Sequence, residues 1–265
     1  MADLLVKPSG DRGRILQVTP RSAGWTYVGF ELHRLESGDT AGGESGDREL
    51  CLVLVSGRAS VTADGLDTGV IGERMSPFGG KPHSVYVPAG SGWSVTAATA
   101  VTLAVCSAPG VAGARPPRVI GPGEVSQETR GKGTNTRHVT NILPETEPAD
   151  SLLVVEVITP GGHTSSYPPH KHDRDALPEE SLLEETYYHR LDPPQGFAFQ
   201  RVYTDDRALD ATMTVTDGDV TLVPRGYHPC AAIHGYDLYY LNVMAGPKRT
   251  WRFFNAPQHA WLLKA

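Results

Sequence analysis

No stretch of the 265-residue chain approaches the roughly 18 uninterrupted apolar residues of a membrane-spanning helix, and its start, MADLLVKPSGDRGR, has no apolar core of signal-peptide length. Basic runs are missing too. With a formal net charge of −6, nucleic acid is a poor partner, because neutralising phosphates needs a basic face. Paired cysteines are also lacking: Cys51, Cys106 and Cys230 are odd in number and far apart, which excludes a disulfide framework and a CxxC metal knot. The absences together lead us to expect a cytoplasmic protein without a membrane or nucleic-acid partner, acting on a small molecule. Convincing helical periodicity is scarce as well.

Short β-branched and aromatic runs, punctuated by 29 Gly and 21 Pro, fill the chain instead, the pattern of an all-β protein with many turns. TYVGFELHRL, ELCLVLVSG, RASVTA, HSVYVPAG, WSVTAAT and VTLAVCSA read as strands of a first domain. From about Gly110 to Asn135 the composition shifts to Pro, Gly, Arg, Ser and Thr, as in a crossing segment. Beyond it SLLVVEVITPGG, EETYYHRL, GFAFQRVYT, TMTVTDGDVTLVP and YDLYYLNVMAG resume the pattern. The halves echo each other: Pro88-Ala89-Gly90 follows one strand as Pro224-Arg225-Gly226 follows another, and Glu49 opens a strand as Glu185 does. We therefore expect two antiparallel barrels or jelly rolls, over residues 1–118 and 119–265. The aromatic end, TWRFFNAPQHAWLLKA, calls for packing on a barrel or on a neighbouring copy, so a homo-oligomer is expected.

Chemistry concentrates in the second half. In an extended strand, residues two apart point to one side, so His170 and His172 can present both imidazoles to a single point. Glu185, at the head of a strand, and His228, in PRGYH, complete three imidazoles and a carboxylate. That set suits a divalent metal, zinc or manganese first and iron, cobalt or nickel after them, with positions left for substrate oxygens. Glu184 is the alternative carboxylate. The first half has Glu49 but no His-x-His, and His83 stands alone, so its barrel is read as metal-free.

HKH with EETYYHRL, and GDVTLVPRGYH, resemble the two motifs of the cupin superfamily, although the interval from His172 to Glu185 is longer than usual there. SSYPPHKHD, LEETYYHRL, FQRVYTDDR, VTLVPRGYHPCAA and GYDLYYLNVMAG together resemble the 5-deoxy-glucuronate isomerase family of inositol catabolism, which is related to the 4-deoxy-L-threo-5-hexosulose-uronate ketol-isomerases. The resemblance implies a bicupin whose C-terminal barrel holds the metal. It also implies an aldose-ketose isomerase that converts 5-deoxy-D-glucuronate to 5-dehydro-2-deoxy-D-gluconate through a metal-stabilised enediolate. A uronate-type sugar would be the ligand. Tyr187 and His189 follow Glu185 at alternate positions and are the candidates for proton transfer. For the substrate carboxylate, Arg201 with Tyr203 on its strand face is favoured, because a charge inside an apolar strand needs a partner, with Lys171 or Arg225 as alternatives. A cupin dioxygenase and a non-catalytic sugar-acid-binding cupin are the rival readings.

Overall fold

The computed structural model describes residues 3–264, whose regular secondary structure is almost wholly antiparallel strand. Two compact units result. The first comprises Pro8–Ser126 and Thr140–Val155, and the second the residues up to Lys7, Gln127–Val139 and the chain from Glu156 onward. Among the described residues no helix is long and apolar enough to cross a membrane.

In the first unit, Arg48–Ser56 lies between His83–Val87 and Val101–Pro109 in a six-stranded sheet completed by Arg118–Ile120, Gly29–Leu35 and Gly13–Val18. A four-stranded sheet runs Thr40–Glu44, Gly92–Ala97, Ala59–Ala63, Leu66–Ile71. Alternate residues of the large sheet, Leu50, Leu52, Leu54, Val85, Val87, Leu103 and Val105, meet Val61, Val95 and the alanines of the small one in a single core. Each fully buried Leu or Val there contributes roughly 1.5–3 kcal/mol.

The second unit repeats the plan. Its central strand, Glu184–Asp192, lies between Val220–Val223 and Asp237–Ala245 in a seven-stranded sheet. A four-stranded sheet runs Thr164–Ser165, Cys230–Ala232, Phe197–Tyr203, Asp210–Thr216. The paired sheets give the all-β bicupin architecture expected of the strand-and-turn pattern. The presumed crossing segment is more ordered than its composition suggested, since Arg118–Ile120 and Ser126–Arg130 are both strands. Of the aromatic C-terminus, Phe254–Asn255 pairs with His170–Lys171 and Ala256 is buried, whereas Trp261 and Leu263 are exposed.

The two glutamates that open the central strands have different fates. Glu49 is fully buried, and its carboxylate accepts the Tyr86 hydroxyl (2.7 Å) and the backbone N–H groups of Asp150 (2.7 Å), Ser151 (2.6 Å) and Leu152 (2.6 Å). Four donors saturate the carboxylate and tie Thr140–Val155 into the first unit, leaving it no capacity for a cation. Glu49→Ala strands three backbone donors and should cost about 3 kcal/mol in urea unfolding. A change below about 0.5 kcal/mol would show that the clamp contributes nothing to stability.

Candidate metal centre

Alternation along EETYYHRL sends Glu185, Tyr187 and His189 to one face of the central strand. Directly opposite them on the flanking strands stand Thr221 and Asn242, paired with Tyr187, and Tyr240, paired with His189. Glu184 takes the other face, so Glu185 is the carboxylate that meets the histidines. The long interval before it is a small hairpin, Asp173–Ala176 with Glu180–Leu182, pinned by the buried Glu180 to the Asp173 N–H (2.8 Å) and to Arg174 Nε (2.8 Å). This hairpin returns the chain so that the Leu183 N–H donates to the His172 carbonyl (2.9 Å). Between the two histidines, Lys171 points elsewhere, to Asp205 (2.7 Å) and Asp173 (3.1 Å).

His172 Nε2 and His228 Nε2 lie 3.2 and 3.3 Å from the same oxygen of Glu185. Their far nitrogens are committed: His172 Nδ1 donates to the Leu183 carbonyl (3.0 Å) and His228 Nδ1 to the Gly226 carbonyl (2.8 Å). Gly226 can present that carbonyl because its φ of +91° suits glycine, and a Cβ there would sit 2.5 Å from the Tyr203 carbonyl oxygen. With Nδ1 protonated, each ring in its neutral form turns an Nε2 lone pair toward the carboxylate, as metal-binding histidines held by carbonyl acceptors do. Donor atoms of His172, Glu185 and His228 all fall within 4.8 Å of one another, and His228 Nε2 is buried without a hydrogen-bond partner. Burial takes the His228 pKa down to about 4. At His172 burial works in the same direction, but the Glu185 carboxylate outweighs it and the pKa rises. Lone pairs converging on a carboxylate repel unless a cation lies between them, and this donor set fits a divalent metal. His170 flanks the cluster, its ring 5.0 Å from that of His228 and 4.5 Å from Phe253.

Beside the cluster the wall is polar and aromatic. Tyr187 is buried, with its ring 5.9 Å from His228 and 4.9 Å from Tyr240, and its hydroxyl is 3.0 Å from Ser166 Oγ. The Tyr240 hydroxyl shares a short hydrogen bond with Ser165. Burial and then the Glu185 charge hold the Tyr187 phenol well above its ordinary pKa, so it keeps its proton at neutral pH. His189 stacks at 5.9 Å on Tyr187, with its Nε2 3.1 Å from both Gln200 Oε1 and Thr221 Oγ1. Burial lowers its pKa to about 4, so the ring is neutral. Asn242 Nδ2 and His189 Nδ1 are buried with no hydrogen-bond partner.

Two of the expected site residues lie elsewhere. Arg201 is on the exposed face of Phe197–Tyr203, where Asp210 satisfies it through two hydrogen bonds (2.8 and 2.7 Å). Tyr203 is buried, but against Tyr227 (ring centroids 5.1 Å) and Ala256, beneath the guanidinium groups of Arg201 and Arg207. The inward position on that strand is Gln200. Arg225 is exposed, on a surface hollow with Asp173, Asp205 and Asp206. Ser165, Ser166, Gln200, Thr221, Tyr240 and Asn242 line the site without having been singled out. Period-two spacing from Tyr240 to Asn242 was the available signal; the serines are placed by tertiary folding alone.

A profile of the KduI/IolB family matches residues 4–262. The 5-deoxy-glucuronate isomerase of Geobacillus kaustophilus (strain HTA426) is 55% identical over 265 residues, covering 98% of this chain and 96% of that protein. The enzyme of the same name from Bacillus subtilis (strain 168) is 49% identical over 250 residues, covering 94% and 92%. A crystal structure of an IolB-like protein from Salmonella typhimurium LT2 superposes with a TM-score of 0.97 at 55% identity, over 99% of this chain and 100% of that one. Bacillus subtilis oxalate decarboxylase, a protein with Mn(II) centres, shares the fold at a TM-score of 0.67 and 16% identity, over 97% of this chain and 80% of its own.

His172→Ala and His228→Ala should each abolish stoichiometric divalent metal, measured by elemental analysis, while circular dichroism stays that of the parent. Retention of metal by both variants would remove these residues from the ligand set. Arg201→Ala, which breaks a surface pair, should change stability by no more than about 1 kcal/mol and leave metal content intact.

Proposed function

The chain belongs to the KduI/IolB family, and from that membership we propose the reaction that its relatives are named for, isomerisation of 5-deoxy-D-glucuronate to 5-dehydro-2-deoxy-D-gluconate in myo-inositol breakdown. It is an intramolecular oxidoreductase, an aldose-ketose isomerase. The observation that carries the chemistry is the convergence of His172, Glu185 and His228 beside a buried, protonated tyrosine.

The reaction takes a proton from C2 of the open-chain aldose and returns one to C1, while the hydroxyl proton at O2 leaves and O1 gains one. His172, Glu185 and His228 would hold a divalent cation, with His170 beside them as the fourth donor. Such a cation supplies Lewis acidity for the charge that develops on the two oxygens as the C2 proton departs. Tyr187 is the chain's own contribution to the proton traffic. Its phenol keeps a proton to donate to a substrate oxygen, and the Ser166 hydroxyl at 3.0 Å orients it. His189 acts through Tyr187 as a positioning residue: its neutral ring backs the tyrosine and is itself fixed by Gln200 and Thr221. The surrounding burial keeps water from the reacting carbons and strengthens each of these hydrogen bonds.

Metal-loaded protein incubated with 5-deoxy-glucuronate in deuterated water, followed by proton NMR, should give the keto acid with deuterium on the carbon that gains the proton. Oxygen uptake with ring or chain cleavage would instead favour a dioxygenase, and binding without conversion a sugar-acid-binding protein. Tyr187→Phe should lower kcat on the order of 10²-fold with metal content unchanged. A wild-type kcat in that variant would take Tyr187 out of the proton path.

A further inference from the structure

Arg137 opens the strand Arg137–Leu143 and is half-buried. Its guanidinium donates to the Asn135 carbonyl (3.0 Å), and among the described residues no carboxylate lies within ion-pair distance of it. Four other arginines of the same unit are paired, Arg130 with Glu128, Arg174 with Glu180, Arg190 with Asp217 and Arg201 with Asp210, while Arg207 and Arg225 are exposed to solvent. A partly desolvated cation without an anion is costly, and it persists where an anion arrives with the ligand.

The loop before Arg137 is built to hold it. Gly131 has a φ of +76°, and a Cβ there would meet the Asn135 carbonyl oxygen at 2.1 Å and Arg137 Nη1 at 2.8 Å, so only glycine leaves room for the guanidinium. Asn135 is pinned in turn, donating from Nδ2 to the Tyr167 carbonyl (3.0 Å) and accepting the Thr164 hydroxyl (3.1 Å), while the His163 ring bonds the Thr136 carbonyl (3.0 Å). That same 163–167 segment supplies Ser165 and Ser166, which hold the hydroxyls of Tyr240 and Tyr187. Arg137 thus shares a scaffold with the aromatic wall of the site. Electrostatically the two are already coupled: burial is the main influence pulling the Arg137 pKa below its ordinary value, with Tyr240 the first group opposing it, and the Arg137 charge in turn helps to depress His170.

We propose that Arg137 receives the carboxylate end of the sugar-acid substrate, its planar fork giving two parallel hydrogen bonds to the two oxygens while the opposite end of the sugar lies at His172, Glu185 and His228. The assignment rests on the isomerase reading. Of the other candidates, Lys171 is taken by Asp173 and Asp205 and Arg201 by Asp210, and Arg225 is exposed on a surface hollow among Asp173, Asp205 and Asp206.

The test compares wild type, Arg137→Ala and Arg137→Lys, all metal-loaded, for kcat and KM on 5-deoxy-glucuronate, and for inhibition by 5-deoxy-glucose, which has a primary alcohol in place of the carboxylate. Arg137→Ala should raise KM by roughly two orders of magnitude at unchanged metal content. Arg137→Lys should fall between, and added guanidinium ion should restore part of the loss in the alanine variant. Inhibition by the neutral sugar should be equal in wild type and Arg137→Ala. An unaltered KM in Arg137→Ala, or equal weakening of acid and neutral sugar, would overturn the carboxylate assignment while leaving the isomerase intact. A wild-type protein inert towards 5-deoxy-glucuronate would overturn the functional reading itself.

Discussion

Two hydrogen bonds from imidazole Nδ1 to backbone carbonyls, at Leu183 and Gly226, set the electrostatics on which the second unit's interior depends. Each fixes a tautomer, and the tautomer aims a lone pair at Glu185. Without those carbonyls either neutral ring would be free to donate to the carboxylate, and the cluster would satisfy itself with no cation. With them in place, the site carries excess acceptor capacity in a desolvated interior. That excess is what a metal ion relieves. The backbone on either side is shaped for the purpose: the hairpin pinned by Glu180 delivers Leu183 beside His172, and the left-handed Gly226 turns its carbonyl toward His228.

The first unit has its own buried glutamate near the head of a central strand, on the opposite face and with its acceptor capacity spent. Glu49 stands at the head of a central strand as Glu185 does, but a tyrosine hydroxyl and three backbone N–H groups saturate it. One architecture therefore gives a structural clamp or a ligand site according to which face the carboxylate takes and whether it meets donors or acceptors there. Strand order is alike at both places, but Glu49 lies on the face opposite the Leu50, Leu52 and Leu54 core whereas Glu185 shares its face with Tyr187 and His189, so the difference lies in the face taken and in what the neighbouring loop brings. Fold alone decides neither.

How much of this was legible in the sequence follows from the same distinction. Period two along EETYYHRL was enough to put Glu185, Tyr187 and His189 on one face, and Pro224-Arg225-Gly226 marked the turn that carries His228. The same rule misled at FAFQRVYT, because an alternating strand has two faces and the composition of this one does not tell which is inward. A one-residue change of register exchanges Gln200 for Arg201. The structure settles it through Asp210, diagonal to Arg201 on the neighbouring outer strand and bonded to its guanidinium twice. Gly13–Val18, Thr40–Glu44 and Leu66–Ile71 escaped notice as strands because glycine and polar residues dilute their pattern. Ser165, Ser166 and Arg137 reach the site only through tertiary contacts of a loop and a distant strand, for which no local periodicity exists.

That division has a physical reason beyond the limits of pattern reading. A guanidinium on the inner face of Glu184–Asp192 would lie within a few ångströms of Glu185. There it would pair with the carboxylate whenever no metal was bound, and it would repel a divalent cation by several kcal/mol at an effective dielectric of about 20. The ligand strand must therefore carry neutral or acidic groups, and it does: a tyrosine and a neutral histidine follow the glutamate. A cation for the far end of an acidic sugar has to come from a separate element, and Arg137–Leu143 lies three strands away from the ligand strand in the same sheet. Arg137, locked by Gly131 and Asn135 and tied through the 163–167 segment to the tyrosine wall, meets that requirement without disturbing the lone pairs at the metal centre.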